Sequence, residues 1–183
     1  MYERKKIVVI GPESTGKSTL CELLASHYNT SWCAEYAREY LLTHERQYNY
    51  DDLLTIAKGQ LSLEEKTSEH LAVIDPQQIK PLIIDTDMYV MKVWCEYVFQ
   101  RCHQFILDQI TTRKYDLYLL CNIDLPWVQD ELREYPDEIY RRELFHIYKD
   151  LLINQQTPWV QINGSYEERL QTAISAIDKM LLV

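Results

Sequence analysis

The chain opens on a β-branched run, Lys5-Lys6-Ile7-Val8-Val9-Ile10, which passes directly into Gly11-Pro12-Glu13-Ser14-Thr15-Gly16-Lys17-Ser18-Thr19. Leu20, Leu23 and Leu24 then recur at helical spacing. No other stretch constrains the fold as much. G-x-x-x-x-G-K-[ST] between a strand and a helix is a loop whose backbone amides cradle phosphates. Gly11 and Gly16 permit backbone angles and close approaches that a Cβ forbids, and two of the chain's four glycines stand at these positions. The helix that follows adds the positive end of its dipole. In this arrangement Lys17 reaches the outer phosphates and the Ser18 hydroxyl is a ligand for Mg²⁺. Thr19 donates nearer the nucleoside, and Glu13, Ser14 and Thr15 complete the loop. The stretch predicts binding of ATP or a similar nucleoside triphosphate.

The rest of the chain alternates short apolar runs with helical patterns. Strands are expected at Lys6–Ile10, Ser31–Ala34, Pro81–Asp85, Leu117–Cys121 and Trp159–Ile162. Helices are expected from Gly16 to about Tyr28, from Glu35 to Leu42, and from a cap at Asp51 to Asp75 with a bend or break at Gly59. Further helices follow a cap at Asp87, span His103 to about Arg113 and Arg141 to Ile153, and close the chain from Tyr166 to Leu182. Asp124–Asp137 is polar, holds two prolines and interrupts the periodicity, so it reads as a lid together with the helix start up to residue 142. Strands separated by helices imply a central parallel sheet of about five strands with helices on both faces. The expected fold class is thus an α/β three-layer sandwich of the P-loop NTPase type. With 183 residues and no linker, repeat or low-complexity tract, the expectation is one domain.

Composition narrows the partners. The net charge is −9, a field that repels polyanions and argues against binding along nucleic acid. The five cysteines are odd in number and include no C-x-x-C, which suits buried thiols in a reducing compartment and not a zinc site. No run is long enough to span a bilayer. The expected location is the cytoplasm, without a membrane partner, and self-association stays open.

Among P-loop classes, a GTPase needs Asp-x-x-Gly, and no aspartate lies three residues before any of the four glycines. AAA-type or motor ATPases usually need more chain for a lid subdomain or mechanical track. A small-molecule kinase needs only an acceptor pocket and a lid. Ligands of open parallel sheets bind beyond the C-terminal strand ends, where Glu35, Asp85 and Asp87 fall. Asp85 stands where a Mg²⁺ carboxylate is needed, and Glu35 or Asp87 is the candidate base for an acceptor hydroxyl. Each also has a structural alternative, Glu35 at a helix start and Asp87 as a cap. Arginines near the lid, Arg133, Arg141 and Arg142, are candidates to stabilise a transferring phosphoryl group, against the commoner role of a salt-bridged helix face.

Beyond the phosphate loop, Glu35-Tyr-Ala-Arg-Glu39, Ile56-Ala-Lys-Gly-Gln60, Asp85-Thr-Asp87, Lys92-Val-Trp94, Asp124-Leu-Pro-Trp-Val128 and Asn163-Gly164 run in order along nearly the whole chain. With these motifs the chain resembles the ribosylnicotinamide kinase domain of the NadR family. That resemblance implies ATP- and Mg²⁺-dependent phosphorylation of nicotinamide riboside to nicotinamide mononucleotide, in NAD salvage. It implies a small-molecule nucleoside site using Glu35, Tyr36, Arg38, Asp87, Trp94 and Trp127, with aromatic faces suited to a flat cationic ring. Asn163 and Gly164 become a candidate adenine edge, and Lys17, Arg133 and Arg142 catalytic residues. The five histidines form no HxGH motif, so the expectation is the kinase module alone. The sequence also departs from the family in the lid, with Asp130-Glu131-Leu132-Arg133 where Asp-Gly-Leu-Arg is expected. A kinase for another nucleoside or nucleotide, or an ATP-sensing regulatory module without transfer, are the alternatives.

Overall fold

Strands whose every residue is apolar bury both faces, and that requirement is met here by helices above and below one sheet. The computed structural model describes residues 4–44, 47–77, 80–129, 131–132 and 135–182. In chain order the elements are β1 (Lys6–Ile10), α1 (Lys17–His27), β2 (Trp32–Cys33), α2 (Tyr36–Thr43), α3 (Tyr50–Ile74) and β3 (Leu82–Asp85). They continue with α4 (Met88–Phe99), α5 (Gln104–Thr112), β4 (Leu117–Cys121), α6 (Glu138–Ile153), β5 (Trp159–Ile162) and α7 (Tyr166–Leu181). The five strands lie in the order β2-β3-β1-β4-β5 and every pairing is parallel.

Side-chain alternation along the strands sorts the core into two layers. Ile7 and Val9, with Ile83, Leu117 and Leu119, face Leu20 and Leu24 of α1 and Ala173 and Ile177 of α7. Val8 and Ile10, with Ile84, Tyr118 and Leu120, face Leu71 of α3, Val93 of α4 and Leu144, Phe145 and Tyr148 of α6. A third cluster joins α2, α3, α4 and α5 beside the sheet through Tyr40, Leu53, Ile56, Met91 and Ile106. The central strand β1 has β3 on one side and β4 on the other, so the sequence leaves it in opposite directions. Such a reversal opens a crevice at the C-terminal strand ends, directly over the phosphate loop.

Three local expectations change. The cap of α3 is Asn49, whose side chain accepts from the amides of Asp51 and Asp52 while Asp52 returns a bond to the Asn49 amide. Asp51 instead sits in the first turn, where its charge suits the helix dipole. Helix α3 runs unbroken through Gly59. Glycine is required there because a Cβ would lie 2.1 Å from Cε1 of Tyr36. Helix α6 starts at Glu138, capped by the Asp137 side chain on the Ile139 amide, a turn before the expected start.

Candidate active site

The phosphate loop is shaped by its neighbours as much as by its glycines. Gly11 has φ +142 and passes so close to β4 that a Cβ would lie 2.7 Å from the Cys121 carbonyl oxygen. Gly16, at φ +76, is the left-handed cap residue of α1, and a Cβ there would meet Leu125 at 2.9 Å. Helix α1 has no side-chain cap and no acid in its first turn. Neither a capping oxygen nor a carboxylate therefore competes with an anion for its first amides. Thr15 Oγ1 and Lys17 Nζ each donate to the Pro12 carbonyl, at 2.7 and 2.9 Å.

Below the loop, Ser18 Oγ donates to Asp85 Oδ2 at 2.6 Å. The end of β3 and the start of α1 thus bring a hydroxyl and a carboxylate together. Burial, then the nearby Glu35 charge, push the Asp85 carboxyl up to about 6, against the lowering effects of Lys17 and Ser18. A cation arriving at these oxygens would favour the ionised form. Among the described residues no group of three or more His, Cys, Asp or Glu side chains is arranged to hold a metal. A single hydroxyl and one carboxylate instead match Mg²⁺ that keeps waters and phosphate oxygens as its remaining ligands.

A cavity of about 240 Å³ lies over the loop, lined by all residues from Gly11 to Thr19 and also by Glu35, Arg38 and Trp94. Glu35 is positioned by the β2–α2 junction, which Gln60 ties together from α3. The Gln60 side chain accepts from the Tyr36 amide at 2.8 Å and donates to the Ala34 and Asp85 carbonyls at 3.3 and 3.2 Å. Gln60 is 2% exposed. Tyr148 of α6 also lines the cavity, and burial followed by the charges of Glu35, Asp87 and Glu13 raises its phenol far above its ordinary range. It stays a neutral hydroxyl.

The cavity does not gather every residue expected of it. Asp87 is buried outside the lining, with Oδ1 accepting from the Tyr89 amide at 3.0 Å and Oδ2 from the Tyr118 hydroxyl at 2.8 Å. Its structural role as the α4 cap is the one seen, and burial pushes its carboxyl up to about 6 against these hydrogen bonds. The Tyr36 ring turns from the cavity to pack on Gly59. Arg142 is on the outer side of α6, paired with Glu138 one turn earlier. Arg141 takes the inner side. It is 5% exposed, its guanidinium sits 5.1 Å from the centre of the Trp127 ring, and Nε and Nη1 have no hydrogen-bond partner among the described residues. Leu144 and Tyr148, three and seven residues on, share its helix face and line the cavity. Trp127 is therefore a neighbour of Arg141 and not a wall of the cavity. Arg133 lies outside the described residues, as does Asp130 of the departing lid tetrapeptide.

The polar segment before α6 rests on the phosphate loop. Ser14 Oγ accepts from the Val128 amide at 3.0 Å, and Glu13 Oε1 accepts from the Tyr135 amide. Asn163 and Gly164 lie beyond the cavity lining, at the exit of β5. The Gly164 amide donates to Asp124 at 2.7 Å, and Asn163 Oδ1 accepts from Asn122 at 3.0 Å. Three contributors went unread in the sequence: Gln60, Tyr148 and Arg169. Arg169 had a visible signal, since it falls four and eight residues before Ala173 and Ile177, on the buried face of α7.

The model of the AAA domain family AAA_28 matches residues 6–169, from the start of β1 into α7. The chain belongs to this family. Length had weighed against an AAA-type machine, and that reasoning does not reach family membership: this AAA_28 chain carries the phosphate loop and sheet with short connections. Its likeness to the trifunctional NAD biosynthesis/regulator protein NadR of Escherichia coli (strain K12) is 27% identity over 182 residues, 97% of this chain and 43% of the relative. The chain thus spans less than half of that protein. Among solved structures, NadR in complex with NR superposes with a TM-score of 0.77 at 24% identity, covering 98% of this chain and 51% of that one. NadR in complex with NAD and AMP-PNP gives 0.74 at 25%, covering 98% and 50%. The parallel sheet with helices on both faces is the fold of these P-loop proteins. Among the described residues no helix is long and apolar enough to cross a membrane.

Proposed function

We propose that this AAA_28 chain is a small-molecule kinase that transfers the γ-phosphoryl group of ATP to the 5′-hydroxyl of nicotinamide riboside. The observation that carries the reading is one cavity lined by the phosphate loop together with Glu35, Arg38 and Trp94, with Ser18 of that loop bonded to Asp85 at 2.6 Å. A module that only sensed ATP would have no need of a carboxylate lining the same cavity as the phosphate loop. The NadR structures in complex with NR and with AMP-PNP support the pairing of these two ligand classes.

ATP would lie with its phosphates on the amides of residues 11–16 and its outer phosphates at Lys17, with Thr19 beside the innermost one. Ser18 and Asp85 would hold Mg²⁺, which supplies charge neutralisation for the leaving oxygen when bound. Glu35 orients the acceptor hydroxyl and takes its proton. The hydroxyl oxygen forms the new bond to the γ-phosphorus, the bond from that phosphorus to the bridging oxygen breaks, and ADP leaves. Arg38 and Trp94 hold the nucleoside, Trp94 through attraction between its ring face and a cationic base. In the arginine role, Arg141 replaces Arg142: it shares the helix face of Leu144 and Tyr148, which line the cavity, although it is not itself part of the lining, and its two nitrogens without partners among the described residues suit an anion. Asp87 supports α4 and leaves Glu35 as the base.

The test is a panel of nucleosides, including nicotinamide riboside, incubated with the protein and ATP–Mg²⁺ while ADP and phosphorylated product are followed. The reading expects ADP matched by nicotinamide mononucleotide. Turnover with a different acceptor alone would reassign the substrate, and ATP binding without product from any acceptor would contradict the kinase reading.

A further inference from the structure

Arg169 is the fourth residue of α7 and is 2% exposed, yet each of its guanidinium nitrogens has an acceptor. Nε donates to the Gly164 carbonyl at 2.8 Å, Nη1 to the Thr15 carbonyl at 3.0 Å, and Nη2 to the Asn122 carbonyl at 3.0 Å. Nη2 also pairs with the Asp124 carboxylate. The four acceptors belong to three loops at one edge of the sheet: the phosphate loop, the exit of β4 and the exit of β5. Asp124 closes the set by accepting from the Gly164 amide with its other oxygen at 2.7 Å. Asn163 adds a second tie, accepting from Asn122 at 3.0 Å and Gln161 at 2.8 Å.

One of these bonds reaches the phosphates through covalent geometry. The peptide between Thr15 and Gly16 is planar and trans, so its C=O and N–H point in opposite directions. Arg169 holds the Thr15 oxygen on the α7 side. The Gly16 N–H is thereby turned away from α7, towards the hollow of the phosphate loop. A guanidinium suits this task because its five donors are fixed in one plane, whereas an ammonium offers three from a single point.

We infer that Arg169 is a positioning residue for the nucleotide: it aims the Gly16 amide at the phosphates and fixes the spacing between the phosphate loop and the loops at Asn122–Asp124 and Asn163–Gly164. This extends the kinase reading, on which the identity of the nucleotide rests. It concerns the donor half of the site alone, and the acceptor half is untouched by the bonds described.

The experiment compares the wild type with Arg169→Lys and Arg169→Ala, measuring ATP–Mg²⁺ binding by calorimetry, steady-state constants and the melting temperature. Arg169→Lys is expected to weaken ATP about tenfold, the loss of one charge-assisted bond, and Arg169→Ala about a hundredfold. At saturating ATP, kcat and the KM for the acceptor stay within twofold of wild type. General loosening of the fold would raise both KM values together. Should Arg169→Ala fail to fold, Arg169→Lys and Asp124→Asn, expected to weaken ATP about threefold, carry the test. ATP affinity within twofold of wild type in the folded variants overturns the inference, as does a loss confined to kcat. If the wild type binds ATP but phosphorylates no acceptor, the kinase reading falls while the binding comparison still decides the role of Arg169.

Discussion

Two buried arginines, Arg169 of α7 and Arg141 of α6, are treated in opposite ways. Arg169, on the β4–β5 side, has every nitrogen engaged by carbonyls and a carboxylate. Arg141, on the α6 side, is nearly as buried, yet two of its nitrogens lack partners among the described residues. Burying a cation costs several kcal/mol unless hydrogen bonds and opposite charge offset it. On the Arg169 side that offset is built into the folded chain, through the Thr15, Asn122 and Gly164 carbonyls and the Asp124 carboxylate. Arg141 lacks that full offset among the described residues, and an anion reaching its guanidinium would supply it. On the proposed reading, the difference separates a residue that shapes a site from one that acts in it.

The largest expected effect lies in the phosphate loop that Arg169 touches through the Thr15 carbonyl. Lys17→Ala should reduce transfer by about 10³-fold or more, since nothing else in the loop supplies a mobile positive charge to the outer phosphates; a loss under tenfold in kcat would show that the phosphates lie elsewhere. Arg141→Ala should lower kcat by about 10²-fold, whereas Arg142→Ala, which removes an exposed pair with Glu138, should change it less than twofold. The reverse order in steady-state kinetics would restore Arg142 to the catalytic role and empty the contrast of meaning. Stability sharpens the same point. Urea unfolding should show Arg169→Met losing about 3–5 kcal/mol, because the Asp124 charge and three carbonyls lose their partner, and Arg141→Met losing nothing or gaining about 1 kcal/mol.

The smallest effect is a pH dependence. Burial raises the carboxyls of Asp85 and Asp87 to about 6, above the ordinary carboxylate value near 4 that they regain on unfolding. Between those values the folded chain binds more protons than the unfolded one, so stability falls as pH rises. Without Mg²⁺ or ATP, urea midpoints should drop from pH 5 to pH 7, and Asp87→Asn should flatten that slope by removing one of the two groups. An unchanged slope would mean that Asp87 does not titrate in this window.

The donor half of the site was legible in the sequence because its chemistry is local. Nine consecutive residues, 11–19, carry the loop, and the strand and helix beside it announce themselves by periodicity. The strand ends were legible too, placing Glu35 and Asp85 together from element order alone. What escaped depends on contacts between distant segments. Gly59 looked like a helix breaker because its reason, the Tyr36 ring, lies 23 residues earlier. Asp87 suits cap or base equally in the sequence, and Tyr118, on β4 two strands from β3, takes its second oxygen. The choice between Arg141 and Arg142 is different: Leu144, Phe145 and Tyr148 stand three, four and seven residues after Arg141, so the helix phase already pointed inward from 141. Arg169 was readable by the same rule.

On the proposed reading, one cavity brings the γ-phosphoryl group of ATP to an alcohol presented by Glu35. A single-turnover experiment with excess protein, γ-labelled ATP, Mg²⁺ and nicotinamide riboside tests it most directly. The account predicts the label in nicotinamide mononucleotide, with little in inorganic phosphate, and a strong slowing in Glu35→Gln. Label that stays in ATP, or that appears only as inorganic phosphate at equal rates in both proteins, would contradict it.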